Sequence, residues 1–333
     1  MKTLLYTGIL FLFVAGCSKD HTKTIPPPVS PDYEIASTTD VPYGQNTSFS
    51  GENQKLLLDI YYPKNASAAN TYPLLVMAHG GSFLTGNKSN MSSLCGAMAA
   101  KGYIAVSIDY RLGWDYGNAS SPAACKGDTL SLQKAVYRSL QDYNAALRFL
   151  VHNANKFFIN SEWIFIGGAS AGAAAAMNTT YVTTGFANDF FKDEKAELGG
   201  LKNAGNNLTD DFTIRGDVSL WGAVITPDLI TPTTAVPMIA FHGSADATIP
   251  ITNGHYALCS SYPVLYGSQD IYNILNSYNV PSVLHIALNE GHDPDTYDNN
   301  TTFVSENINC FLQSLIRKEE QTGVYNNLTS SCP

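Results

Sequence analysis

Three residue types at three separate places in this 333-residue chain can together activate a nucleophile. The first is Ser170, in Gly168-Ala169-Ser170-Ala171-Gly172. A serine hydroxyl hardly ionises at neutral pH, so it attacks a carbonyl only when a base removes its proton. The base in turn needs a carboxylate to fix its tautomer and stabilise the imidazolium. Among seven histidines, His292 is the one placed for this, because Asn289-Glu290-Gly291-His292-Asp293 directly follows a strand pattern in a loop with a pliable glycine. His21 falls in a proline-rich stretch, His152 near the end of a long helix and His255 at a helix start, while His285 reads as a packed core residue inside a strand. The acid comes from Phe241-His242-Gly243-Ser244-Ala245-Asp246, which puts Asp246 46 residues before His292. Glu290 and Asp293 are fallback acids, although their closeness to His292 along the chain makes the geometry harder. A fourth piece is His79-Gly80-Gly81-Ser82, where glycines at a strand end let backbone N–H groups turn toward a ligand.

The elements that position these groups are legible from periodicity. Ahead of Ser170 runs an apolar strand pattern, Trp163-Ile164-Phe165-Ile166, and behind it an alanine tract of high helix propensity. A strand-to-helix turn this sharp strains its central residue and needs small neighbours. It lifts the hydroxyl clear of the sheet, beside a helix N-terminus whose unpaired N–H groups favour developing negative charge. A dinucleotide reading fails, since the third position of Gly-x-Gly-x-x-Gly would be Ala169 counted from Gly167 and Ser170 counted from Gly168. Further strand patterns lie at 56–63, 73–79, 103–109, 218–224, 238–242 and 283–288. Helices are expected near 91–101 and 303–318, with a long amphipathic one carrying Leu132, Val136, Leu140, Tyr143, Leu147 and Leu150 inward. Strand–helix alternation calls for a mostly parallel central sheet with helices on both faces, an α/β fold. Each chemical piece sits at the C-terminal end of a strand pattern, where such sheets form their sites. Residues 183–215, with Phe186, Phe190, Phe191 and an Asn/Gly-rich run, break the rhythm. They are read as an insertion over the mouth of the site or as a surface decoration.

A hydrophobic fraction of 44% supports a substantial core, and a net charge of −9 with no basic run argues against nucleic acid as a partner. At the N-terminus Lys2 precedes an apolar run of about ten residues, short of the roughly 20 needed to span a bilayer. Its ending, Val14-Ala15-Gly16-Cys17, resembles the lipobox of bacterial lipoproteins. That resemblance implies a signal over 1–17, a lipidated Cys17 and a membrane-anchored place in the bacterial cell envelope. Ser18-Lys19-Asp20 is similar to tags that send some lipoproteins to the outer surface. Residues 18–43 carry Pro26, Pro27, Pro28, Pro31 and Pro42 and are expected to form a tether, with the folded domain at 44–333. With Cys17 lipidated, five cysteines remain, so at least one is free or paired elsewhere. Export permits disulfides; the expected pairs are Cys95 with Cys125, and Cys259 with Cys310 or Cys332. With no Cys-x-x-Cys, His-Glu-x-x-His or EF-hand pattern, neither a catalytic metal nor a cofactor is expected.

Taken together, His79-Gly80-Gly81, Asp109-Tyr110-Arg111-Leu112, Gly168-x-Ser170-x-Gly172, Asp246 and His292 resemble the α/β-hydrolase family, in particular its carboxylesterase and hormone-sensitive-lipase-like branch. The resemblance spans about residues 50–320. It implies an α/β-hydrolase fold with Ser170 as nucleophile, His292 as general base then acid, and Asp246 as orienting carboxylate. The implied oxyanion donors are the backbone N–H groups of Gly81, Ser82 and Ala171, Ser82 standing where the branch usually has a third glycine. His79 and Asp109–Arg111 then serve as scaffold for the loop. The activity so implied is hydrolysis of carboxylic esters through an acyl-enzyme. Its substrate would be a small ester or an esterified carbohydrate, with acetyl or feruloyl groups suggested by Trp114, Tyr116 and Phe186. The alternatives are a serine peptidase of the same fold and an inactive hydrolase-like adhesion protein, the latter disfavoured by the intact Ser170, Asp246 and His292.

Overall fold

Leu74, Val76 and Ala78 face one apolar layer while Leu75 and Met77 face the other. Successive side chains on a strand point to opposite faces, so an uninterrupted apolar run needs cover on both. The computed structural model describes residues 32–118 and 121–333. Cys17 and residues 18–31 of the expected tether lie outside the described residues.

Among the described residues the first six strands are β1 (Ile35–Thr47), β2 (Asn53–Pro63), β3 (Tyr72–Ala78), β4 (Ile104–Ile108), β5 (Ile159–Ala169) and β6 (Ile214–Leu220). The remaining six are β7 (Ala223–Val224), β8 (Met238–Gly243), β9 (Asn253–His255), β10 (Val264–Gly267), β11 (Ser282–Ala287) and β12 (Gly323–Asn326). Nine build one sheet in the order β1-β2-β4-β3-β5-β6-β8-β11-β12, and β7, β10 and β9 form a small second one. From β4 to β12 every neighbouring pair is parallel. The helices are α1 (Ser92–Ala100), α2 (Thr129–His152), α3 (Ala171–Tyr181), α4 (Thr184–Phe190), α5 (Lys192–Leu198), α6 (Ser268–Ser277), α7 (Asp295–Asp298) and α8 (Thr301–Ile316). On one face α2 and α3 bring Leu132, Tyr143, Leu147 and Ala175 into the core; on the other, α1 and α8 bring Met98, Ile308 and Phe311. This is the two-layered cover that the strand–helix alternation requires.

Three expectations are corrected. The folded domain does not start at residue 44, because β1 begins at Ile35 and pairs antiparallel with β2. Proline is tolerated on an edge strand, and Pro42 falls beside a register shift in β1, which lies at the sheet's edge. The pattern at 218–224 divides in two, since the sheet strand ends at Leu220 and the chain turns at Trp221, φ 47°, before the short β7. The disulfides join Cys125 to Cys259 and Cys310 to Cys332, leaving Cys95 free. Cys95 is fully buried on α1 against the sheet, so it cannot reach the surface loop that holds Cys125. That loop instead lies on residues 256–263: the Gly127 amide donates to the Tyr262 hydroxyl at 2.9 Å, and the Thr129 hydroxyl to the Ser261 carbonyl at 3.2 Å.

Candidate active site

Because the central strands are parallel, their C-terminal ends share one rim, and the site assembles there. Strand β5 ends at Ala169, α3 starts at Ala171, and Ser170 between them adopts φ 52°, ψ −120°. Such a conformation is costly for a non-glycine residue and persists only where the surroundings enforce it. Here the Ser170 amide donates to the Leu220 carbonyl of β6 at 2.8 Å. At Gly172 a Cβ would stand 2.1 Å from the Ala78 carbonyl oxygen, so only glycine lets α3 pass this close to β3.

The base and the acid arrive from β11 and β8, which pair directly. Their loops are laced together, with the Ala245 amide donating to the Glu290 carbonyl at 2.8 Å and the Asn289 amide to the Ser244 hydroxyl at 2.8 Å. His292 Nε2 lies 2.7 Å from Ser170 Oγ, and its Nδ1 lies 2.7 Å from Asp246 Oδ2. The other carboxylate oxygen of Asp246 accepts the amides of Thr248 and Ile249 at 2.8 and 2.9 Å. Burial alone would raise the Asp246 carboxyl, but the His242 and His292 imidazoles beside it hold it well below the ordinary carboxylate value. The structure therefore brings Ser170, His292 and Asp246 into one hydrogen-bonded chain. It does not bring in the fallback acids. Glu290 turns away to accept from the Thr296 amide and hydroxyl, and Asp293 stands 3.8 Å from Nε2, the nitrogen that faces Ser170. Trp221 meets the His292 ring edge-on at 6.5 Å between centroids.

The glycine loop follows β3, the neighbour of β5. Gly81, Ser82 and Phe83 all have positive φ, at 114°, 55° and 58°. A Cβ on Gly80 would lie 3.2 Å from Ser170 Cβ, which sets the loop against the hydroxyl. Ser82, Ser170 and Ala171 all line one cavity. His79 stacks on Tyr110 at 4.5 Å, and its Nδ1 lies 2.7 Å from the Gly80 carbonyl; burial lowers its pKa. Tyr110 donates its hydroxyl to the His79 carbonyl at 2.8 Å, and Arg111 is buried in an ion pair with Asp142 at 2.8 Å. The His79–Tyr110 pair braces the loop.

Trp114 is not a substrate-facing ring: it is buried and donates its indole N–H to the Ser82 carbonyl at 2.9 Å. The sequence shows it only as an aromatic in a loop; its partner across the fold is invisible there. Beside Ser170 opens an apolar cavity of about 100 Å³, with Phe83, Leu132, Val136, Phe191 and Ile225 among its walls. Phe190 and Phe191, at the α4–α5 junction, also line it, so the segment at 183–215 contributes to the site. Phe190 is 45% exposed and stacks on Phe186 at 5.0 Å. Sequence reasoning passed over His242, whose Nε2 lies 3.2 Å from Asp246 Oδ2. Its only signal was the spacing Phe241-His242-x-x-x-Asp246.

Residues 58–199, which hold the glycine loop and Ser170, match the BD-FAE family. Among curated relatives, the chain is 29% identical over 168 residues to a neuroligin-like protein, glit-1, of Caenorhabditis elegans, covering 50% of this chain and 20% of the relative. It is 28% identical over 158 residues to human carboxylesterase 3, covering 46% of this chain and 25% of that one. The chain thus spans a quarter or less of the length of these relatives. A solved carbohydrate esterase from gut microbiota, in truncated form, superposes with a TM-score of 0.55 at 20% identity, covering 86% of this chain and 98% of that one. Together with the sheet order, this likeness identifies an α/β-hydrolase fold.

Proposed function

We propose that this protein hydrolyses carboxylic esters through an acyl-enzyme formed on Ser170. One observation carries the reading: Ser170 Oγ, His292 and Asp246 form an unbroken chain of 2.7 Å contacts beside an apolar cavity. His292 takes the Ser170 proton as the hydroxyl attacks the ester carbonyl, and Asp246 holds the resulting imidazolium. The amides of Gly81, Ser82 and Ala171 face the developing oxyanion, a contribution of about 2.7–4 kcal/mol per donor in comparable sites. The imidazolium returns its proton to the leaving alcohol, and water then attacks the acyl group by the same route. Similarity to carboxylesterase 3 and to a solved esterase supports ester rather than amide chemistry.

For the substrate, we infer an esterified carbohydrate bearing acetyl or feruloyl groups. Beside the cavity the exposed Phe190, stacked on the half-buried Phe186, offers a face for a sugar or aryl ring, and the likeness to a carbohydrate esterase points the same way. Cys17, following Val14-Ala15-Gly16, supports a lipid anchor in the bacterial cell envelope. An ester panel varying acyl length and alcohol, with acetylated and feruloylated oligosaccharides included, tests the substrate. Preference for simple alkyl esters over every carbohydrate ester would reject the carbohydrate reading. Cys17→Ser should release the protein from membranes, and unchanged membrane association in that variant would reject the anchor.

A further inference from the structure

Asp246 Oδ2 faces two imidazoles. His292 Nδ1 lies 2.7 Å from it on the side of Ser170, and His242 Nε2 lies 3.2 Å from it on the other. His242 is fully buried in β8, and the same Nε2 lies 2.9 Å from the Ile249 carbonyl. With two acceptors in reach, Nε2 carries a hydrogen: its hydrogen bond goes to the Ile249 carbonyl, and Asp246 Oδ2 stands alongside at 3.2 Å. Nδ1 lies 2.8 Å from the hydroxyl of Ser268, also fully buried, at the first turn of α6. The result is a nearly symmetric run, Ser268–His242–Asp246–His292–Ser170, with the carboxylate at its centre.

We propose that His242, oriented by Ser268, is a positioning residue that fixes the Asp246 carboxylate for His292. The Thr248 and Ile249 amides hold Oδ1. Without His242, Oδ2 would keep only its contact with His292, and the carboxylate could swing more widely about the two amides that hold Oδ1. With it, a second imidazole flanks Oδ2 at 3.2 Å, so the carboxylate is held at both oxygens and the line from Asp246 to Ser170 is set before substrate binds. The proposal rests on the ester-hydrolase reading of this site.

The test uses the full chain and two readouts: kcat and KM for a short-chain p-nitrophenyl ester, and the labelling rate of Ser170 by a fluorophosphonate. His242→Phe keeps a buried ring but removes the donor; His242→Gln restores an N–H near the place of Nε2. In His242→Phe we expect kcat and labelling to fall about tenfold to a hundredfold, with KM within about twofold of wild type. His242→Gln should recover most of the loss, and Ser268→Ala should slow labelling in the same direction. Labelling of His242→Phe at the wild-type rate, or an equal loss in the Phe and Gln variants, overturns the proposal. If His242→Phe does not fold, the other two variants decide: Ser268→Ala at the wild-type rate, or a fully inactive His242→Gln, overturns it. Wild-type protein that labels without turning over any ester would sink the ester reading alone, while the labelling rates still test His242.

Discussion

Ser170 and His292 are 122 positions apart in the chain, yet Oγ and Nε2 stand 2.7 Å apart. The closeness follows from topology: the two residues follow parallel strands of one sheet, β5 and β11, with β6 and β8 between them. Ser170 reaches His292 because its backbone is held at φ 52°, which aims the hydroxyl off the sheet. The strain is maintained by close contacts such as that of Gly172 with the Ala78 carbonyl.

Gly81→Ala tests the loop beside Ser170. At φ 114° the added Cβ would lie 2.1 Å from the Thr85 carbonyl oxygen, so the backbone has to move. Displacing a donor from the oxyanion should lower kcat about 10²–10³-fold with a small change in melting temperature. Steady-state kinetics and a thermal melt check this; an unchanged kcat would put the donors elsewhere.

The two disulfides should behave differently. Cys125–Cys259 ties the loop of Trp114, which supports Ser82, to the segment of Tyr256 and Pro263, which line the cavity. Replacing both cysteines by serine should cost about 2–5 kcal/mol of stability and raise KM. Replacing Cys310 and Cys332, which anchor the C-terminal segment to α8, should lower stability and leave KM alone. Chemical denaturation and steady-state kinetics on both double variants decide between these outcomes.

His285 gives the fold an acid limit. It is fully buried in β11, stacked on Phe241 at 4.7 Å, and burial pushes its pKa from 6.5 down to about 4. The unfolded chain therefore binds a proton that the native state refuses between these values, so stability is present above about pH 6.5 and drains away as pH falls toward 4. The loss amounts to about 3 kcal/mol. His285→Phe should flatten the dependence of melting temperature on pH between 7 and 4.5; an unchanged slope would assign the acid sensitivity to other groups.

What could be read in advance was what local residues determine. Each piece of the site follows an apolar strand pattern and carries its own turn signal: glycines around Ser170, the Gly80-Gly81 pair, Gly291 before His292. Parallel strands then put all of them on one rim. Partnerships across the fold were hidden. Cys125 and Cys259 meet because two loops of distant sequence pack together, while Cys95 is shut between α1 and the sheet. β1 lacks a clean alternation and contains Pro42, so its strand character comes from pairing with β2 rather than from propensity. A lone histidine in an apolar strand reads as core, and His242 became visible only when the chain after β8 folded Asp246 back beside it.

Trapping the covalent intermediate tests the central claim most directly. The full-length protein would be mixed with p-nitrophenyl acetate, quenched in acid within the burst phase, digested and mapped by mass spectrometry. The account requires one acetyl group on Ser170, with no burst and no acetylated peptide in Ser170→Ala. A burst of undiminished size in Ser170→Ala, or acetylation confined to another residue, would contradict it.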